Sequence, residues 1–197
     1  MGLSIHYNGQ FRKGASLEGL IEELEDISKI YNWEYHVFEK KFPTVNFDKN
    51  KHDGKLYGIC FTPLGCETIA ISFLSNGKMS GPAQLQLYGN SNNIAESEYL
   101  YMLFTKTQYA GSEIHMLIIH LLKYLNTKYF TDFKLIDEGQ YWETGDKKLL
   151  RETFKNYEEL IEAFSSSLKT MPMNSSETIE VYLERLMTII NKKNKSE

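Results

Sequence analysis

Apolar and polar residues alternate at the start of the chain. Residues 3–7 alternate with period two and are followed by Asn8-Gly9, which predicts a half-buried strand that ends in a turn. Apolar positions from Leu17 to Ile30 then follow helical spacing, and Ser16 is placed to cap the first turn. Residues 33–38 alternate again. The chain is therefore predicted to open as strand, helix, strand.

The middle of the chain is predicted to be mainly strands. Residues 57–61 and 68–73 alternate on either side of a short segment with Pro and Gly, which predicts a β-hairpin. Residues 84–88 and 99–108 predict two further strands. Between the second and third strands, residues 39–55 are mostly polar and contain chain breakers, so we expect an irregular excursion there.

The second half of the chain turns helical. Residues 112–126 are apolar over far more than one surface stripe, which predicts a helix buried between layers. Residues 133–136 predict a last strand, and helical spacing resumes near Asp146 and ends at Pro172. Apolar residues at helical spacing over residues 179–190 predict a final helix that is integral to the fold.

These elements predict an α+β fold with a mainly antiparallel sheet, the first two helices on one face, and a C-terminal helical segment. The β-α-β-β opening is compatible with a ferredoxin-like core, and the strand order stays open. A length of 197 residues favours a single domain. In it, residues 1–145 form the core of sheet and helices, residues 146–193 pack on that core, and residues 194–197 are a flexible tail.

Charge narrows the range of partners. The chain has a net charge of −4, and the first helix, Leu17–Ile30, has that same net charge by itself. No basic stripe is present, so no nucleic-acid partner is expected. A protein partner or a second copy is expected to use acidic helix 17–30 or the C-terminal helix.

The sequence predicts a cytoplasmic protein with no membrane partner. No apolar run approaches the roughly 18 residues that a spanning helix needs, and the first residues lack the basic head and apolar stretch of a signal peptide. Two cysteines fit a reducing compartment better than a disulfide scaffold. Cys60 and Cys66 are expected on opposite faces of the hairpin, without a disulfide.

Strand alternation sorts the sheet residues into two faces. The apolar face, expected under the helices, consists of Leu3, Ile5, Tyr7, Tyr35, Val37, Tyr57, Ile59, Phe61, Ile69, Ile71 and Phe73. The opposite face consists of Ser4, His6, Glu34, His36, Gly58, Cys60, Thr62, Thr68, Ala70 and Ser72. Because antiparallel sheets commonly have one wet face, we favour the interpretation that this polar face meets water or the C-terminal helices.

The same polar face holds the residue types of acid-base and nucleophilic chemistry. His6 and His36 are candidate bases, Cys60 is a candidate nucleophile and Glu34 adds a carboxylate. No catalytic residue is assigned beyond these candidates. Nucleotide-binding, serine-hydrolase and zinc-protease motifs are absent from the sequence, so no cofactor is predicted.

No metal site is predicted either. In a ferredoxin-like order the third strand would separate His6 from His36 by two interstrand steps, about 10 Å, which is too far for a shared zinc ion. The objection would weaken if their strands were direct neighbours. His115 and His120 point about 140° apart on one helix and are expected to be structural. The acidic segment 137–146 is interpreted as a solvated loop in which Asp146 caps the next helix.

Two functional hypotheses follow. We favour a non-enzymatic cytoplasmic binding or regulatory protein of a bacterial type, adaptor-like or immunity-like. The sequence pattern accounts for a hydrophobic core, and no catalytic motif is present. The alternative is a small hydrolase or transferase that uses the polar sheet face, with His6 or His36 as base and Cys60 as nucleophile. A deep pocket over these residues would favour the enzyme.

Overall fold

The computed structural model describes residues 3–43, 51–91, 93–174 and 177–193. The strands are β1 (Ser4–Phe11), β2 (Glu34–Val37), β3 (Tyr57–Thr62), β4 (Ile69–Phe73), β5 (Leu103–Lys106) and β6 (Phe130–Asp137). The helices are α1 (Leu17–Ile30), α2 (Pro82–Tyr88), α3 (Ile94–Ser97), α4 (Gly111–Tyr129), α5 (Tyr141–Thr144), α6 (Lys147–Thr170) and α7 (Ile179–Lys193), with a 3₁₀ turn at Tyr99–Tyr101. The predicted α+β class and antiparallel pairing are confirmed.

Strand pairing divides the strands into two sheets, where the sequence predicted one. Among the described residues, one sheet has the order β5-β1-β6 and the other has the order β2-β3-β4. The third strand therefore pairs with β2 and β4 and does not contact β1 as a ladder partner. The strand order assumed for a ferredoxin-like core is wrong, since β1 and β2 lie in different sheets.

A short extended segment connects the two sheets. Lys78 forms an isolated bridge with Gln10 near the end of β1, and Met79 forms one with Phe73 at the end of β4. Tyr7 adds a side-chain link, because its hydroxyl donates to the carbonyl of Ala70 and accepts from the amide of Ala70, both at 3.1 Å. The sheets are thus held together by backbone and side-chain hydrogen bonds.

Helices α1 and α4 pack on different sheets. Helix α1 packs on β2 and β3, with Ser16 capping its first turn as predicted, and α4 packs on β6. A carboxylate joins the helices: Glu23 on α1 accepts hydrogen bonds from Tyr124, Lys128 and Tyr129 on α4. The sequence placed both helices on one face of a single sheet, whereas the structure has one helix for each sheet.

The predicted apolar face supplies much of the core. Nine of its members are buried, whereas Tyr35 is 39% exposed and Val37 is half-buried because both lie on β2. Helix α4 is buried along most of its length, as its wide apolar surface predicts. Burial of these side chains is the main favourable term for the fold.

Several predicted elements differ from the structure. Residues 84–88 belong to helix α2, not to a strand, because Pro82 occupies the first turn, a position where proline favours a helix. The long strand predicted over residues 99–108 is a 3₁₀ turn followed by the short strand β5. Of the predicted irregular excursion, residues 44–50 lie outside the described residues, as does the predicted tail at 194–197.

The chain divides into two compact units, Met1–Leu150 and Arg151–Glu197. The first contains both sheets. Within the second, the hydroxyl of Tyr182 on α7 donates to the carbonyl of Met171, and Arg185 binds Glu177 and the carbonyl of Pro172. None of the helices in the described part of the chain is both long enough and apolar enough to cross a membrane.

Candidate functional site

The sheet β5-β1-β6 has one face buried and one face open. Along β1, Ile5 and Tyr7 are buried, whereas His6 between them is exposed. Strand β5 alternates in the same way, with Leu103 buried and Phe104 exposed. Because successive side chains of a strand point to opposite faces, the open face carries His6 and Phe104.

The centre of this open face is a row of three neighbouring side chains. His6 on β1 lies directly opposite Phe104 on β5 and Ile136 on β6. Phe104 is 48% exposed and Ile136 is 68% exposed. The His6 and Phe104 rings lie 6.0 Å apart, centroid to centroid, within the range of a favourable aromatic contact. The row thus leaves two large apolar side chains in water, with a histidine between them.

A groove of about 360 Å³ follows this row. Its lining residues are His6, Tyr7, Asn8, Met102, Leu103, Phe104, Lys134, Leu135 and Ile136. Ligand pockets in proteins typically hold roughly 300–1,000 Å³ and are lined mainly by apolar side chains with a few polar groups. The groove is at the lower end of that range and fits that composition.

The two ends of the groove differ in charge. At one end, Lys134 on β6 lies opposite Asn8 on β1. Beyond the other end, past Ile136, Glu138 accepts a hydrogen bond from the backbone amide of Ser4 at 2.7 Å, and its second carboxylate oxygen lies 3.6 Å from Nε2 of His6. The carboxylate thus has partners within the protein, whereas Lys134 makes no ion pair with the described residues.

The other sequence candidates lie on the second sheet. His36 on β2 is directly opposite Cys60 on β3, and Glu34 is opposite Thr62. Both His36 and Glu34 are exposed, and the His36 ring contacts Phe38 edge-on at 4.9 Å. The structure therefore brings His36 and Cys60 together and places His6 in a different sheet. The prediction that both histidines share one sheet face is wrong.

The single polar face that the sequence predicted is not formed. Ser4, Gly58, Ala70 and Ser72 are buried, and the Ser72 hydroxyl donates to the carbonyl of Ser80 at 2.6 Å. The alternation is correct strand by strand, but the division into two sheets separates the strands that were expected to share this face.

Cys60 borders a second cavity, of about 550 Å³, that lies between β4, α2 and β5. Glu67 and Gln84 are among its other lining residues, and Leu103 and Phe104 line both this cavity and the groove. Burial raises the pKa of the Cys60 thiol. Because the thiolate is the nucleophilic form, this environment disfavours nucleophilic chemistry at Cys60. Cys60 and Cys66 are both free, as predicted.

A buried hydroxyl, imidazole and carboxylate lie in line beneath the sheet. Nδ1 of His115 is 2.7 Å from Oγ1 of Thr107, and its Nε2 is 2.9 Å from Oδ1 of Asp137. This order of groups is that of a hydrolase triad. All three residues are buried, so no substrate reaches the threonine, and we assign the three residues a structural role.

The interpretation of segment 137–146 as a solvated loop is correct for Asp146 and wrong for Asp137. Asp146 caps α6 as predicted, by accepting hydrogen bonds from the amides of Lys148 and Leu149. Asp137, in contrast, is buried and not part of a solvated loop. Of the two α4 histidines, His115 binds this carboxylate, and the exposed His120 contacts the Tyr141 hydroxyl.

Metal-binding geometry is not found in the part of the chain that the structure describes. No three His, Cys, Asp or Glu side chains there lie close enough together to hold an ion. Of the residues that line the groove, His6 was a candidate from the sequence, and the exposed side chains of Met102, Phe104, Lys134 and Ile136 were not indicated. The one available signal was that Phe104 follows Leu103, and Ile136 follows Leu135, so both strand faces carry large apolar residues.

Comparison of the chain with family models, with curated proteins and with solved structures gives no match.

Proposed function

We propose that this protein is a non-enzymatic binding or regulatory protein and that its ligand binds in the groove on the open face of β5-β1-β6. The observation that carries the proposal is the exposed row of Phe104, His6 and Ile136 within a concave, mainly apolar surface. Exposed apolar patches, especially those with polar rims, mark interaction sites. A convergent set of a few polar groups beside apolar walls is typical of a ligand site.

The enzyme alternative has weaker support. Of the two candidate bases of a hydrolase or transferase, His6 lies in a different sheet from the candidate nucleophile Cys60, whereas His36 lies directly opposite it. The raised pKa of the Cys60 thiol also leaves little thiolate near neutral pH. These two observations favour binding over catalysis.

In this proposal the protein acts in the cytoplasm as an adaptor-like or immunity-like component of a bacterial system. A protein partner or a second copy would use the acidic helix α1 or the C-terminal helix α7. On α1, Lys29 already pairs with Glu25 and Asp26, and Glu18 and Glu22 remain exposed on the outer surface. A basic partner surface is the chemistry that α1 fits.

Fluorescence of a neutral apolar probe tests the groove. N-phenyl-1-naphthylamine brightens when it leaves water, so we expect a saturable rise in its emission with the wild-type protein. Phe104→Ser and Ile136→Ser should each weaken probe binding at least about fivefold, because each removes an apolar wall. Both side chains are substantially exposed, so the substitutions leave the core intact.

Leu64→Ser is the matched control. Leu64 is 88% exposed in the turn between β3 and β4 and does not line the groove, so this variant should bind the probe like the wild type. Equal probe binding by all four proteins, or no saturable binding by the wild type, would contradict the proposed site.

A further inference from the structure

We infer that the ligand of the groove is a small apolar carboxylate whose hydrocarbon body lies on Phe104, His6 and Ile136 and whose anionic head lies at Lys134. This inference rests on the proposed function and adds the chemical class of the ligand and its orientation.

The charged side chain at the groove indicates an anionic ligand. Lys134 is the one side chain with a permanent charge among the described residues that line the groove, and it makes no ion pair with described residues. Asn8, directly opposite, adds amide hydrogens that can donate to an anion. A lysine ammonium and an amide beside apolar walls form a complementary site for a carboxylate with an apolar body.

Glu138 lies just beyond the opposite end of the groove and disfavours an anionic head there. It lies two residues beyond Ile136 on the side away from Lys134, accepts a hydrogen bond from the Ser4 amide, and has its other carboxylate oxygen 3.6 Å from the His6 ring. An anionic head placed at that end would face a like charge, whereas one placed at Lys134 would face an opposite charge. Lys106 also lies at that end but, unlike Lys134, is not among the residues that line the groove, so the orientation with the anionic head at Lys134 is favoured.

The apolar residues around His6 indicate a ligand with a hydrocarbon body. The exposed apolar side chains on either side of His6 are Met102 and Phe104 on one side and Ile136 on the other. A hydrocarbon body buried there gains the free energy of removing its apolar surface from water, whereas a fully polar anion such as phosphate gains none of it. Binding should therefore need both the apolar body and the negative head.

Competition between three probes that differ in the head group tests this inference. Octanoate, 1-octanol and octylammonium each displace N-phenyl-1-naphthylamine if they bind in the groove. We expect octanoate to bind about tenfold more tightly than octanol, and octylammonium more weakly than octanol. Lys134→Glu should weaken octanoate at least about tenfold and change octanol binding less than about twofold.

Lys106→Glu is the matched control. Lys106 lies opposite Ser4, at the Glu138 end of the open face, so this variant changes the net charge equally but at the wrong end. It should weaken octanoate less than about threefold. Equal effects of the two variants, or equal binding of octanoate and octanol, would overturn the inference and leave the groove as a binding site for a neutral ligand.

Two further outcomes separate this inference from the proposed function. If none of the three probes displaces the dye and the dye itself does not bind saturably, the groove is not a ligand site and both proposals fail. If sedimentation shows a dimer that Phe104→Ser dissociates, a second copy occupies the groove and the carboxylate inference fails while a binding role remains.

Discussion

Nε2 of His115 on α4 lies 2.9 Å from Oδ1 of Asp137 at the end of β6, and both side chains are fully buried. The same carboxylate accepts hydrogen bonds from the backbone amides of Gly139, Tyr141 and Trp142. A single carboxylate thus joins α4 to the end of β6 and to the start of α5. It also fixes the segment that follows β6, the strand that carries Lys134 and Ile136.

Removal of the histidine should be strongly destabilising. His115→Ala leaves Asp137 as a buried carboxylate without its side-chain partner, and loss of one member of a buried pair costs about 3–5 kcal/mol. His120→Ala is the control on the same helix, since His120 is exposed and contacts only the Tyr141 hydroxyl among the hydrogen bonds described. Urea unfolding at neutral pH should show a loss of no more than about 1 kcal/mol for the control. Similar losses in both variants would contradict the structural role of His115.

The same pair predicts a stability change in acid. Burial by itself would raise the pKa of Asp137, but the hydrogen bonds from His115 and from backbone amides hold that pKa below its usual value. A lowered carboxyl pKa contributes stability that is fully present above the unfolded pKa of about 3.9 and is lost as the pH falls through the folded pKa. As the pH falls from about 5 to the point where Asp137 is protonated in both states, the wild type should therefore lose its advantage in unfolding free energy over Asp137→Asn. A difference that stays constant with pH would show that Asp137 does not contribute through its charge.

Tyr7 provides a test of how the two sheets are held together. Its buried hydroxyl satisfies both the amide and the carbonyl of Ala70, and burial raises its pKa, so it remains a neutral donor. Tyr7→Phe should lower the free energy of unfolding by about 1–3 kcal/mol because both backbone groups lose their partner. Tyr109→Phe, at a side chain that is 75% exposed, should change it by less than about 0.5 kcal/mol. Chemical denaturation of both variants measures the contrast, and an unchanged Tyr7→Phe protein would refute the link.

Substitution of Gly58 in β3 should strongly lower the stability of the fold. Gly58 has φ of +127°, and a Cβ placed there would lie 2.4 Å from the carbonyl oxygen of Ile71 on β4. Gly58→Ala should therefore cost about 3 kcal/mol or more, from backbone strain together with the clash. Gly14 has φ of +83° but open space around it, so Gly14→Ala should cost only about 1–2 kcal/mol. Thermal melting of the two variants compares strain with and without a clash, and equal melting temperatures would contradict this account.

The sequence predicts the long helices better than it predicts the short segments between them. Helices α1 and α4 follow from apolar spacing within one segment, which is local information. The five residues 84–88 alternate well enough for a strand, and the helix is decided by Pro82 before them. Short segments of this kind fit both periods, so their identity depends on neighbouring residues.

The candidate site depends on contacts that are distant in sequence. His6 could be singled out as a polar residue in an apolar strand, but its neighbours Phe104 and Ile136 join it only through pairing with β5 and β6. The sequence left the strand order open and did not indicate that β1 pairs with β5 and β6, because a register between distant segments leaves no local pattern. The same reason hid the partner of Asp137, which comes from the middle of α4.

Helix α7 should be integral to the fold. Leu186 on α7 is fully buried and Tyr182 is 8% exposed, with its hydroxyl bound to the Met171 carbonyl. Removal of all residues after Met173 should therefore expose apolar surface, lower the melting temperature and promote aggregation in size-exclusion chromatography. Removal of residues 194–197 alone, the tail that the sequence predicts to be flexible, is the control and should leave melting unchanged. Leu186→Asp should resemble the long truncation, and Leu183→Asp, at a side chain that is 39% exposed, should be milder. If the long truncation melts like the full chain, α7 is dispensable for stability and becomes the first place to search for a partner-binding element.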